Sequence, residues 1–171
     1  MTKMIKALNE QINKEIFSGY LYLSMVSYFE EHSLDGFASW FKAQAQEELF
    51  HAMKIYDFVH EIGGTVVLEA IEKPDIEWTS PLQIFEEGLE HEKFITASIH
   101  ELVDLAQEEK HYPALDMLKW FVAEQVEEEA NFSYHVDLLK MSGDKGSALL
   151  FMNSKMAARV PLPLSADQMA E

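Results

Sequence analysis

The chain has no cysteine among its 171 residues, which excludes disulfides, thiolate-held zinc and cysteine-held iron–sulfur clusters. A cysteine-free composition fits a reducing compartment, so we expect a cytoplasmic protein. The first fifteen residues carry charges throughout and lack the apolar core of a signal peptide. No uncharged apolar run approaches the roughly 18 residues of a membrane-spanning helix, so no membrane partner is expected.

Basic residues are also scarce, because 13 Lys and Arg stand against 30 Asp and Glu, a formal net charge of −17. Such a charge disfavours nucleic acid and anionic lipid as partners and favours the attraction of cations. The net charge alone is equally consistent with an acidic surface that only keeps the protein soluble. A hydrophobic fraction of 48% over this length indicates one globular domain with a sizeable core.

Four segments carry apolar residues at alternating spacings of three and four, which is typical of helices that bury one face in a bundle. The predicted helices, including a short fifth one, span about residues 3–32, 36–62, 81–110, 113–141 and 145–158. We assign residues 1–159 to one domain and expect residues 160–171, which contain two closely spaced prolines, to form a flexible tail.

The segment 65–79, between the second and third helices, lacks a helical period. Extended at about 3.3 Å per residue it can reach about 50 Å, whereas the second helix is roughly 40 Å long. The connector can therefore run the whole length of the bundle. The predicted fold class is all-α: a four-helix bundle with one long crossover between helices two and three, plus a short fifth C-terminal helix.

Six polar residues occupy positions on the apolar helix faces where leucine would be expected. They are Glu15, Glu48, His51, Glu92, Gln125 and Glu128. Each of these polar residues in the first helix pair has a polar counterpart 77 residues later in the second pair, as Glu15 has in Glu92. Because 77 residues are eleven heptads, two similar helix hairpins are expected to bring these residues to one layer near mid-bundle.

This polar layer has the composition of a metal site. Buried, unpaired carboxylates each cost several kcal/mol, and several together repel one another and protonate. No Lys or Arg occupies the apolar faces, so two divalent cations would neutralise four carboxylates, with His51 and Gln125 completing the ligand sets. Oxygen-rich ligation with one imidazole suits iron or manganese and also accepts zinc. Taken singly, each residue would more often be a protonated or hydrogen-bonded core residue, and it is the six together, at matched spacings, that indicate a metal site.

Further polar residues lie near the layer. Tyr22 is two turns from Glu15 on the same helix face and is either a core tyrosine or a phenol that reaches the metal layer. Glu47, Glu124 and Glu127 flank the layer, as a solvated acidic face or as an accessory cation site. Two remaining polar residues of the apolar faces, Gln44 and His135, are expected to be structural.

Four stretches of the chain resemble the prokaryotic non-haem ferritins: LNEQINKEIFSGYLYLSM, AQEELFHAMKIYDFV, HEKFIT and LKWFVAEQVEEEANF. The resemblance covers roughly residues 3–158 and implies a ferritin-like fold. The second half departs from the di-iron pattern of two Glu-x-x-His motifs, since Gln125-Val126-Glu127-Glu128 stands there. Leu49 occupies the position at which the similar bacterioferritins carry a methionine haem ligand, so no haem is expected.

The resemblance implies a role for each of these residues. Glu15, Glu48 and His51 would hold one iron. A second iron would be bridged by Glu48 and held also by Glu92 and, more weakly, by Gln125. The accessory third iron site would comprise Glu47, Glu124, Glu127 and Glu128, with Glu128 either shared with the di-iron site or belonging mainly to the third. Tyr22 would be a redox-active tyrosine, and Trp120 would take part in electron chemistry or serve as core packing.

The function implied by the resemblance is that of a ferroxidase and iron store. Fe(II) would be oxidised to Fe(III) by O₂ or peroxide, and the product stored as ferric oxyhydroxide mineral inside a hollow homo-oligomeric shell of 24 subunits. Two alternatives stay open: a di-iron or di-manganese oxidase acting on an organic substrate, and a non-catalytic bundle whose polar layer fixes register. Native mass and metal content distinguish the three.

Overall fold

The computed structural model describes residues 2–143 and 146–159. Within this part of the chain the secondary structure is entirely helical, and the elements are α1 (Lys3–Glu31), α2 (Asp35–Glu61), α3 (Pro81–Glu108), α4 (Tyr112–Ser142) and α5 (Gly146–Met156). The all-α class, with four long helices and a short fifth, is confirmed. Lys145, the predicted start of the fifth helix, and the predicted tail 160–171 lie outside the described residues.

Side chains that accept hydrogen bonds from backbone amides define where three of the helices begin. The Thr2 hydroxyl accepts from the Ile5 amide at 3.2 Å, the Ser80 hydroxyl from Gln83 at 3.1 Å, and His111 Nδ1 from Ala114 at 3.1 Å. These acceptors satisfy amides that have no partner within the first helical turn. The serine cap before Pro81 agrees with the start signal in the sequence.

The crossover from α2 to α3 runs along α1. Asn9 Nδ2 donates to the Thr65 carbonyl at 3.0 Å, and Asn9 Oδ1 accepts from the Val67 amide at 3.0 Å. Further along, the Ser24 hydroxyl donates to the Asp75 carbonyl at 2.6 Å. The connector therefore passes from one end of α1 towards the other, and α3 begins at the same end of the bundle as α2.

The core consists of two apolar clusters with the polar layer between them. One is rich in aromatic rings and includes Phe29, Phe37, Phe41, Phe85 and Phe132. The other is mainly aliphatic, with fully buried residues such as Leu8, Ile55 and Ile99. The two clusters exclude water from both sides of the layer, which makes any charge placed there expensive.

Helix α5 packs on the start of α2. Asn153 Oδ1 accepts hydrogen bonds from the Gly36 amide at 2.9 Å and the Phe37 amide at 3.2 Å. Leu34, at the N-cap of α2, is apolar and cannot cap it, so Asn153 supplies the acceptor. A Cβ on Gly36 would lie 1.7 Å from the Asn153 carbonyl oxygen, so only glycine fits here. Among the described helices, none combines the length and hydropathy needed to cross a membrane.

Candidate metal centre

All six residues of the predicted polar layer lie together in the centre of the bundle. Helix α1 contributes Glu15, α2 contributes Glu48 and His51, α3 contributes Glu92, and α4 contributes Gln125 and Glu128. Each is at most 2% exposed. The 77-residue repeat thus corresponds to two hairpins that place their polar residues at one level.

Glu15, Glu48 and His51 form one compact group, in which one ligand atom from each lies within 4.8 Å of the others. His51 Nδ1 is 3.4 Å from Glu48 Oε2 and 4.0 Å from Glu15 Oε2. Within the described part of the chain, Glu15 Oε2 and His51 Nε2 are buried without a hydrogen-bond partner. Unpaired buried polar atoms of this kind are costly, and a divalent cation with oxygen and imidazole ligands would satisfy them.

Glu92 lies outside this group, and two neutral side chains hold its carboxyl oxygens. The Tyr22 hydroxyl donates to Glu92 Oε1. The Gln125 Nε2 donates to Glu92 Oε2 at 3.2 Å and to the Thr96 hydroxyl at 3.3 Å. Tyr22 is therefore in direct contact with the layer, and not only a core residue on the same face.

A second group of potential ligands comprises His51, Glu124 and Glu128. His51 Nε2 is 3.8 Å from Glu124 Oε1, too long for a hydrogen bond, and Glu124 is a quarter exposed. Glu128 Oε2 accepts from Gln44 Nε2 at 2.8 Å, and the same nitrogen donates to Glu48 Oε1 at 3.0 Å. Gln44 is hydrogen-bonded, as expected of a structural residue, but its partners are two carboxylates of the layer.

Burial in an anionic surrounding changes the protonation of the layer. Desolvation, followed by the charge of Glu48, raises the pKa of both Glu15 and Glu128 to about 8. The same two causes raise the pKa of Glu92 well above its ordinary range. Without a metal these three carboxyls are therefore mostly neutral at pH 7.

Glu48 and His51 behave in the opposite way, as a charged pair. Burial acts to raise the pKa of Glu48, but the attraction of His51 and the hydrogen bonds from His51 and Gln44 lower it. Burial likewise acts to lower the pKa of His51, but the charge of Glu48, aided by Glu124 and Glu15, raises it well above its ordinary value. The proton on His51 thus supplies a positive charge inside the acidic layer.

The structure also brings a cation to the edge of the layer that the helical pattern did not indicate. Arg159, just beyond α5, donates from Nη1 to Gln44 Oε1 at 2.8 Å and forms an ion pair through Nη2 with Glu47. Its guanidinium lies 4.3 Å from the ring centroid of Trp40. Arg159 occupies none of the apolar helix faces and reaches Glu47 from beyond the end of α5.

Glu127 and Trp120, the remaining residues expected near the layer, lie in different surroundings. Glu127 is exposed and belongs to neither group of potential ligands. The ring of Trp120 lies 5.5 Å from that of His51, and Lys54 Nζ lies 4.6 Å from the Trp120 ring centroid. The layer as a whole offers carboxylate, amide and imidazole ligands. The rings of Tyr22 and Trp120 lie next to it.

Comparison with known proteins shows a matching family for most of the chain. The family model of the ferritin-like domain matches residues 5–142. A bacterial non-heme ferritin of Staphylococcus epidermidis is 39% identical over 157 residues, covering 92% of this chain and 95% of that protein. One of Staphylococcus saprophyticus is 40% identical, with 92% and 94% covered.

Solved structures give the same result. A closed form of the Archaeoglobus fulgidus ferritin, engineered by site-directed mutagenesis, superposes with a TM-score of 0.93 at 51% identity, covering 95% of this chain and 99% of that one. The open-pore ferritin of the same archaeon gives a TM-score of 0.92 at 51% identity, with 94% and 99% covered.

Proposed function

This chain belongs to the ferritin family, and from that premise we propose that it oxidises Fe(II) at a di-iron site in its polar layer and stores the Fe(III) produced. The observation that carries the proposal is the group of Glu15, Glu48 and His51, which holds two buried atoms without hydrogen-bond partners in the described chain. Its relatives of about 40% identity bear the name non-heme ferritin.

In the proposed site, Glu15, Glu48 and His51 hold one Fe(II). Glu48 reaches towards a second Fe(II), for which Glu92 and Gln125 supply further oxygen ligands. For this to happen, Glu92 exchanges its hydrogen bonds with Tyr22 and Gln125 for the metal. Glu128 accepts a hydrogen bond from Gln44 and is a member of the second group of potential ligands. It binds the iron pair or belongs to an accessory site with Glu47, Glu124 and Glu127.

The chemistry requires the layer to lose protons before it gains iron. The neutral carboxyls of Glu15 and Glu92 and the proton on His51 oppose cation binding, so metal entry releases protons. Oxidation then removes one electron from each Fe(II), and O₂ accepts both. Anionic carboxylates favour Fe(III) over Fe(II), because the extra positive charge is stabilised in a site from which water is excluded.

Storage follows from assembly of the chain into a hollow homo-oligomeric shell, for which we propose 24 subunits, in the cytoplasm. The net charge of −17 would concentrate cations at the inner surface and favour mineral formation there. The Fe(II) substrate and O₂ or peroxide as oxidant are the partners of this reaction. We propose that the protein binds no haem.

The proposal is tested by adding Fe(II) and then air, and by following ferric absorbance over time. We expect wild type to be faster than the double variant Glu48→Gln, His51→Ala by more than about tenfold. Glu10→Gln, at an exposed carboxyl of α1 that pairs with Lys6 on the surface, is the matched control and should match wild type. Equal rates for wild type and double variant would refute ferroxidase activity, and a native mass of a dimer would refute storage in a shell.

A further inference from the structure

We infer that Arg159 is an internal cation of the accessory site, and that a metal ion bound by Glu47 must displace its guanidinium. This inference rests on the proposed function, because it assumes that Glu47 faces cations passing from the di-iron layer. Arg159 would thus set the metal affinity of the accessory site and hold the side chain of Gln44 in position.

The Arg159–Glu47 pair is shielded from solvent. The side chain of Arg159 is 18% exposed and that of Glu47 is 14% exposed. An ion pair at such a depth is screened far less than a surface pair, so removing either member changes the electrostatics of the site strongly. A carboxylate already engaged by a guanidinium is a poorer ligand for a metal ion, since both cations compete for the same negative charge.

Two further contacts fix the guanidinium in place. It lies on the face of Trp40, at 4.3 Å from the ring centroid, which favours a cation there. Arg159 Nη1 also donates to Gln44 Oε1 at 2.8 Å. Because the amide has a single oxygen, this bond turns Gln44 Nε2 towards the carboxylates of Glu48 and Glu128. Arg159 is thereby connected to the layer through one side chain.

The position of Arg159 is set by the packing of α5. Met152 and Met156 are buried, at 7% and 4% exposure, and Asn153 accepts the two amides at the start of α2. Arg159 follows Met156 by three residues, so anchoring of α5 determines where the guanidinium lies. Loosening this anchor should weaken the effect of Arg159 without removing its charge.

The test is a calorimetric titration of the full-length, metal-free protein with Zn(II), a redox-inert probe. For wild type we expect two tightly bound ions per subunit and a weaker third. In Arg159→Gln the third should bind roughly tenfold more tightly or better, with the first two ions little changed. Arg159→Lys retains the charge but cannot hold Gln44 and Glu47 with two nitrogens at once, so its third-ion affinity should lie between those of wild type and Arg159→Gln. Asn153→Ala should shift the third ion in the same direction as Arg159→Gln, but less.

Glu47→Gln distinguishes competition from a general loosening of the bundle. In that background the third ion should bind weakly, and Arg159→Gln should no longer change its affinity. Equal third-ion affinity in wild type and Arg159→Gln, or a gain that persists without Glu47, would overturn the inference. Absence of the tight pair in wild type would count against the di-iron site instead, while the third-ion comparison would still decide the role of Arg159.

Discussion

The hydroxyl of Tyr22 on α1 donates a hydrogen bond to Glu92 on α3, so an aromatic residue of one helix holds a carboxylate of another inside the polar layer. Burial and the neighbouring carboxylates Glu92 and Glu48 raise the pKa of Tyr22, which keeps the phenol protonated as a donor. The contact links the aromatic cluster, where Tyr22 stacks on Phe132 at 5.6 Å, to the proposed second metal position.

Tyr22→Phe should destabilise the metal-free protein more than the metal-bound one. The change leaves a Glu92 oxygen without its donor, a loss of about 1–3 kcal/mol that a metal ligand bond would restore. We expect a lower midpoint of thermal unfolding without metal and a larger increase on adding Zn(II) than in wild type. Tyr20→Phe, half-exposed on the same helix, is the control. Equal loss with and without Zn(II) would contradict the proposed exchange at Glu92.

The metal-free protein should lose stability as the pH rises from about 5 to about 8. Glu15 and Glu128 have pKa values of about 8 in the folded protein against an ordinary 4.5, so the folded state binds more protons in this range. His51, with its raised pKa, adds an effect of the same sign above pH 6.5. Urea midpoints in chelator at pH 5.5 and 8 measure this, and Glu15→Gln with Glu128→Gln should flatten the difference. A stability that rises with pH would be the opposite result.

Binding of two Zn(II) per subunit at pH 7 should release about two protons or more, because the raised pKa values of Glu15 and Glu92 keep both carboxyls mostly protonated there. The release should become smaller as the pH rises through about 8, where Glu15 loses its own proton. Titration calorimetry in two buffers of different ionisation enthalpy gives the proton number. Identical heats in both buffers at pH 7 would show that the carboxyls are already ionised.

Gly88→Ala should destabilise the bundle and disturb the site beside it. A Cβ at this position would lie 2.3 Å from Phe132 Cε1, and overpacking of this kind costs about 1–3 kcal/mol. Since Tyr22 stacks on Phe132, the Fe(II) oxidation rate should fall as well. Phe132→Leu in the Gly88→Ala background provides space and should restore part of the stability. No recovery in the double variant would show that the clash is not the cause.

The layer could be anticipated from sequence because helical periodicity fixes which residues share a face, and the 77-residue repeat fixes their level. Helical periodicity also predicts the four long helices, and chain geometry sets the length available to the crossover. The sequence pattern could not predict the position of Arg159, which lies beyond α5 and contacts Glu47 through tertiary packing. Nor could it show that Gln44 bonds to both Glu48 and Glu128, because hydrogen-bond partners depend on side-chain orientation rather than spacing.

The acceptor for the first amides of α2 comes from Asn153, 117 residues after Gly36. During synthesis, the helix that carries Glu48 and His51 therefore begins without its capping partner and gains it only when α5 has emerged and packed. Capping of α2 is thus a late event in the history of each molecule. The helix that holds two of the proposed iron ligands therefore has its first turn completed only after nearly the whole chain has been made.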